Sequence, residues 1–138
     1  MRSLLIAASL VLAAGCSSNT STKWPDLHPV KGTVKVGGQT ATSGYLILRA
    51  EETANADFIV GGKVGDGGSF TLGTTHAHEK GGSQKSGVPA GSYRVMYMPS
   101  GAGDQITGAS VEPIASIKPV TIVAGDNDLA IVLSAPKK

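Results

Sequence analysis

The sequence predicts an all-β domain, about seven short strands in an antiparallel β-sandwich. Three observations predict it. Apolar and polar residues alternate with a period of two in run after run. Glycine-rich turns separate these runs, and the chain holds 19 glycines in 138 residues. No helical period follows the apolar segment at the N-terminus, which itself predicts a helical signal segment.

Composition sets the bounds. The length suits one domain. Apolar residues make up 41% of the chain and aromatic ones 4%, so aliphatic side chains must supply most of a core. The formal charge is +2, and the Lys and Arg residues are scattered. No basic stripe of the kind that nucleic acid requires is present. Cys16 is the one cysteine, which excludes a disulfide within the chain.

The chain opens with the basic Met1-Arg2. Ser3 to Ala14 is then almost wholly apolar or small. These 12 residues are too few to span a bilayer, which takes about 20, but suit the apolar part of a secretory signal. Ser17 to Leu27 is polar in its first half and reads as a flexible tether. Trp24, the only tryptophan, is expected to pack on the domain edge or to sit near lipid headgroups. The boundaries are therefore a signal over 1–15, a tether over 16–28 and the β domain over 29–135.

Within the domain, Val30, Gly32, Val34 and Val36 share one face of a strand, and Lys31, Thr33 and Lys35 the other. Gly37-Gly38 ends it. Gly44 to Ala50 is apolar on both faces and belongs in mid-sheet. Phe58, Val60 and Val64 alternate with Ile59 and Lys63. Asp66-Gly67 then signals a hairpin into Ser69 to Leu72, because glycine accepts positive φ. Gly73 to Val88 is polar and glycine-rich and reads as a long exposed loop, a place to look for function.

Pro89-Ala90-Gly91 leads into the strand on which the domain is centred. Tyr93, Val95 and Tyr97 fall on one face and Arg94, Met96 and Met98 on the other. Ser100 to Ser116 is irregular. Lys118 to Val123 is a strand, Ala124 to Asn127 a turn, and Leu129, Ile131 and Leu133 one face of the last strand.

Two resemblances follow. Leu12-Ala13-Ala14-Gly15-Cys16 resembles the lipobox of bacterial lipoproteins, with Ala13 where leucine is preferred. The resemblance implies cleavage before Cys16 and a diacylglycerol on its sulfur. Ser17, not aspartate, as the next residue leans to the outer membrane, facing the periplasm or the surface. The rival reading is an ordinary signal peptide followed by an incidental cysteine.

The second covers most of residues 29–134. Lys31-Gly32-Thr33-Val34, Gly44 to Leu48, Asp66-Gly67-Gly68-Ser69-Phe70-Thr71-Leu72 and Pro89-Ala90-Gly91-Ser92-Tyr93-Arg94-Val95 come in the order seen in carboxypeptidase regulatory-like domains. These transthyretin-like, or prealbumin-like, sandwiches are mostly non-catalytic accessory or binding modules. Fold alone does not fix function.

His76-Ala77-His78-Glu79 is the sharpest polar cluster. In an extended strand His76 and His78 point the same way, as two ligands of one metal would, but Glu79 points away and His28 is the only other histidine. Solvated loop residues are the plainer reading. Gly61-Gly62-Lys63 lacks the rest of a phosphate loop. Gly65 to Ser69 is not a nucleophile elbow. Asp126-Asn127-Asp128 reads as a turn.

The expectation is a lipid-anchored module of the bacterial cell envelope that binds or supports, without catalysing a reaction and without cofactor or metal. Its partners are the membrane, through lipid on Cys16, and an envelope protein or glycan. The alternative is a carbohydrate- or peptide-binding accessory of an envelope enzyme. A metal-dependent hydrolase built on His76 and His78 stands last.

Overall fold

A computed structural model of the chain describes residues 23–79, 81–100 and 112–135. Among these residues the protein is mostly β. Eight strands have three or more residues: β1 (Val30–Val36), β2 (Gly44–Ala50), β3 (Phe58–Val64), β4 (Ser69–Thr71), β5 (Gly73–His76), β6 (Gly91–Met98), β7 (Val120–Ile122) and β8 (Asn127–Leu133). Two-residue pairings add to them. Leu27–His28 pairs with Val88–Pro89, Gln39–Thr40 with β1, Lys85–Ser86 with β5, and Ile114–Ala115 with β6.

The main strands form one curled sheet in the order β6-β2-β3-β4-β1-β8. β6 lies inside it. It pairs with β2 from Tyr93 to Met98 on one side, and with β7 and Ile114–Ala115 on the other. β3 divides its second edge. Val64 pairs with Phe70 of β4, while Phe58 to Gly61 pair with Gly73 to His76 of β5. β4 also pairs with β1, from Lys31–Thr71 to Thr33–Ser69.

The expected antiparallel pattern holds for every pairing but one. β8 lies parallel to β1 over its full length, Asn127 beside Val30 and Leu133 beside Val36. A parallel pair cannot be joined by a tight hairpin. Here the two strands are the first and last of the sheet's long strands, and nearly the whole chain runs between them.

The alternation read from the sequence places the core. Val30 and Val34 of β1, Leu46 and Leu48 of β2, Val60 and Val64 of β3, Tyr93, Val95 and Tyr97 of β6, and Ile131 and Leu133 of β8 are all buried. Phe70 and Leu72 join them. β2 is in mid-sheet, yet only one of its faces is dry: Tyr45 remains 42% exposed. The Asp66-Gly67 hairpin is present. Gly67 and Gly68 take φ of 74° and 72°, and the Gly65 amide donates to the Ser69 carbonyl at 2.9 Å.

The segment 73–88 departs from the expected exposed loop. Gly73 to His76 is a strand, and Thr74 and Val88 are wholly buried. The Thr74 hydroxyl donates to the Gly87 carbonyl at 2.7 Å, which removes the penalty of burying it. Of the irregular segment Ser100 to Ser116, residues 101–111 lie outside the described residues, and Ile114–Ala115 pair with β6.

Tyr93 crosses from the sheet to the turn before it. Its hydroxyl donates to the Pro89 carbonyl at 2.8 Å. Burial, and to a lesser degree the charge of Glu52, push its pKa up to about 12 from 10.0. Burial raises Tyr97 as well, whose hydroxyl donates to the Ser43 carbonyl.

Two outcomes follow from this packing. Phe70→Ala should lower stability by about 3–5 kcal/mol, read as a drop in the denaturation midpoint. An unchanged midpoint would contradict its place in the core. The second concerns pH. The folded chain keeps the Tyr93 proton while the unfolded chain loses it near pH 10, so the contribution is complete below pH 10 and lost as pH rises through about 12. Denaturant midpoints should fall across that window, and less steeply in Tyr93→Phe. Equal slopes in the two proteins would refute the assignment.

Candidate functional site

The sequence stretch read as tether ends in a strap against the body. Leu27 and His28 pair with Pro89 and Val88. The Gly125 amide donates to His28 Nδ1 at 3.2 Å. Trp24 is half-buried, its ring centroid 5.4 Å from that of Phe58 and tilted by 50°. The expected packing of Trp24 on the domain edge is therefore what the structure has.

His76 completes this cluster. It ends β5 opposite Phe58, and its ring meets Phe58 edge-on at 5.2 Å. Trp24 lies 6.3 Å away on another side. Lys85 Nζ stands 4.1 Å from the centre of the Trp24 ring, within range of a cation–π contact. β5 makes this arrangement, since residues two apart on a strand share a face. His76 is thus a half-buried strand residue, not a solvated loop residue as expected.

His78 lies beyond the strand and is exposed. Its ring centroid is 5.8 Å from that of His76. Its amide donates to His76 Nδ1 at 3.3 Å, and its Nε2 is 3.5 Å from Asp57 Oδ1. The two histidines do come together, as their spacing suggested, but His28 sits at the other end of the strap. Among the described residues no three His, Cys, Asp or Glu side chains are grouped to hold a metal ion. With Nδ1 of His76 accepting a backbone N–H, the lone pair needed for one metal bond is already engaged. The arrangement supplies packing and an exposed polar contact between His78 and Asp57.

Beside the strap, a hollow of about 360 Å³ is walled by Leu27, Pro29, Val30 and Leu72. Lys31, Thr71, Ser86 and Asp126 give it polar groups. No nucleophile–base pair is found there. Asp126-Asn127-Asp128 is not itself the turn its composition suggested: the chain bends at Ala124-Gly125, just before it, and Asn127 and Asp128 already belong to β8, because they pair with Val30 and Lys31. Asn127 clamps the bend: Oδ1 accepts the Val123 amide at 3.0 Å, and Nδ2 donates to the Val123 and Gly125 carbonyls at 2.9 Å each. Cys16 lies outside the described residues. Among the described residues no helix is long and apolar enough to cross a membrane.

No family model, no curated protein and no solved structure matches the chain.

The cluster was missed in the sequence because Trp24, Phe58 and His76 are far apart along the chain. One signal was present: the β-branched pair Thr74-Thr75 before His76 favours a strand over a loop.

The two histidines should respond differently. His76→Ala should cost about 0.5–1.5 kcal/mol, the value of an aromatic pair. It should also shift the emission of Trp24, the only tryptophan. His78→Ala should stay within about 0.5 kcal/mol. Equal effects of the two would put His76 back among solvated residues.

Proposed function

We propose that the chain is a lipid-anchored lipoprotein of the bacterial cell envelope, a non-catalytic binding or structural module carried on a β-sandwich of the carboxypeptidase regulatory-like kind. The observation that carries this reading is the order of residues at the N-terminus. A basic start, a run of 12 apolar or small residues and Ala14-Gly15 precede the only cysteine. A polar segment follows it, and the domain begins only after that. A curled, mostly antiparallel sheet with one apolar face supports the sandwich, and so do the four motifs in their family order.

The strap shapes how such an anchor works. From Ser17 to Lys23 only seven residues separate Cys16 from Trp24, the first side chain packed on the body. Seven residues reach at most about 25 Å. The domain is therefore held close to the headgroups, with Lys23 and Lys85 at the tethered end. One acyl chain binds a membrane only marginally, and two or more hold it stably.

A second reading has one observation in its favour. The hollow beside the strap, apolar within and polar at Lys31 and Asp126, suits a small amphipathic ligand such as part of a glycan or peptide. In that reading the domain is an accessory of an envelope enzyme.

The test is to express the chain in a bacterium fed labelled fatty acid and to fractionate the envelope. Wild type should carry label in the membrane fraction, and Cys16→Ser should carry none. Unlabelled wild-type protein in the soluble periplasmic fraction would overturn the proposal.

A further inference from the structure

β8 is the last strand of the sheet. Among the described residues it has a strand on one side only, β1. The Asn127 amide donates to the Pro29 carbonyl at 2.9 Å, and the Leu133 carbonyl accepts the Gly37 amide at 2.9 Å. Residues 127, 129, 131 and 133 thus turn their backbone groups toward β1. Asp128, Ala130 and Val132 turn theirs to the other side, since successive residues alternate.

That open edge is poorly guarded. Sheet edges are usually protected by lysine, proline or a bulge. None of these interrupts Asn127-Asp128-Leu129-Ala130-Ile131-Val132-Leu133, and all seven residues run in unbroken register with β1. Val132 is 70% exposed. Next to it, across a hollow of about 260 Å³, is Ile117, 86% exposed. Ser116, Lys118 and Ser134 complete that hollow.

We propose that this edge is a self-association surface, to which β8 of a second copy adds antiparallel. The strand is complementary to itself. An antiparallel alignment that keeps Leu129, Ile131 and Leu133 on the core face of both copies must pair residues of like parity. Centring it on Ala130 is the one such alignment that uses the whole strand. It sets Ala130 against Ala130 and Asp128 against Val132. Every outward N–H and C=O then meets a partner, because all three outward residues fall in hydrogen-bonded pairs. The same alignment brings the Asp128 carboxylate of each copy to Val132 of the other, where Lys118 lines the hollow, so opposite charges meet at both ends. The contact is isologous and closes with two copies.

The experiment introduces one cysteine at a time into the full chain, purified in mild detergent and oxidised; the unsubstituted chain, with Cys16 alone, sets the baseline. Paired residues in such an alignment have Cα atoms about 5.5 Å apart, inside the range a disulfide spans. Ala130→Cys should give a disulfide-linked dimer. Asp128→Cys and Val132→Cys should each give little alone and a dimer when mixed. By sedimentation, the unsubstituted chain should be a dimer, and Ala130→Glu, which sets like charges against each other at the exposed centre of the pairing, a monomer with the same circular dichroism and melting temperature. Equal linking by all three single variants, or a dimer untouched by Ala130→Glu, overturns the proposal. A monomeric unsubstituted chain does so too, and leaves the edge to a strand of another protein or to residues of this chain outside those described.

Discussion

The joining of the sheet's two halves depends on the close approach of β4 to β3 at Gly62. A Cβ on Gly62 would overlap the Thr71 carbonyl oxygen and press on Leu72. Only a residue without a side chain lets the two backbones lie so near. At this point the chain changes allegiance. Up to Thr71 it pairs with β1, and from Gly73 it pairs with β3. The Leu72 amide still donates to the Val30 carbonyl at 3.0 Å, while the Leu72 carbonyl accepts the Gly87 amide at 3.2 Å. One residue therefore ties both halves of the curl, and its side chain is buried between them.

That geometry explains why so aliphatic a core suffices. The buried residues are mostly valine and leucine, with Phe70, Tyr93 and Tyr97 as the aromatic members. Branched side chains suit the narrow space inside a curled sheet, since they pack well on a pleated surface. The tyrosines are the costly members, since each carries a hydroxyl inward. Both resolve this by reaching a backbone carbonyl, Tyr93 at Pro89 and Tyr97 at Ser43. Among the described residues no buried side-chain nitrogen or oxygen lacks a partner. The polar atoms of the interior thus fix the turns that lead into β2 and β6.

Strands whose two faces differ were legible in the sequence. Val30 and Val34 against Lys31 and Lys35, or Tyr93 and Val95 against Arg94, carry their own orientation. What stayed hidden depends on partners distant in the chain. Thr74 looks solvated until the Gly87 carbonyl is set beside it. Gly61-Gly62 looks like a weak spot until Thr71 lies against it. The direction of β8 relative to β1 has no local signature, because alternation is the same in parallel and antiparallel pairs. The clustering of Trp24, Phe58 and His76 was hidden for the same reason, while the nearness of His76 to His78 followed from spacing alone.

The strap and the open edge of β8 meet at one residue. The Pro29 carbonyl, which ends the strap, accepts the Asn127 amide that begins β8. Asn127 in turn clamps the turn from β7, and His28 accepts the amide of Gly125 in that turn. A pull on the residues before Trp24 would first load the aromatic cluster, then the short Leu27–His28 pairing, and only then the start of β8. Three pieces of chain, the strap, the turn after β7 and the start of β8, are gathered there by backbone groups and one buried asparagine. A change in how the strap sits reaches the sheet's open edge by two routes, through Asn127 and through β1, into which the strap runs and with which β8 pairs over its full length.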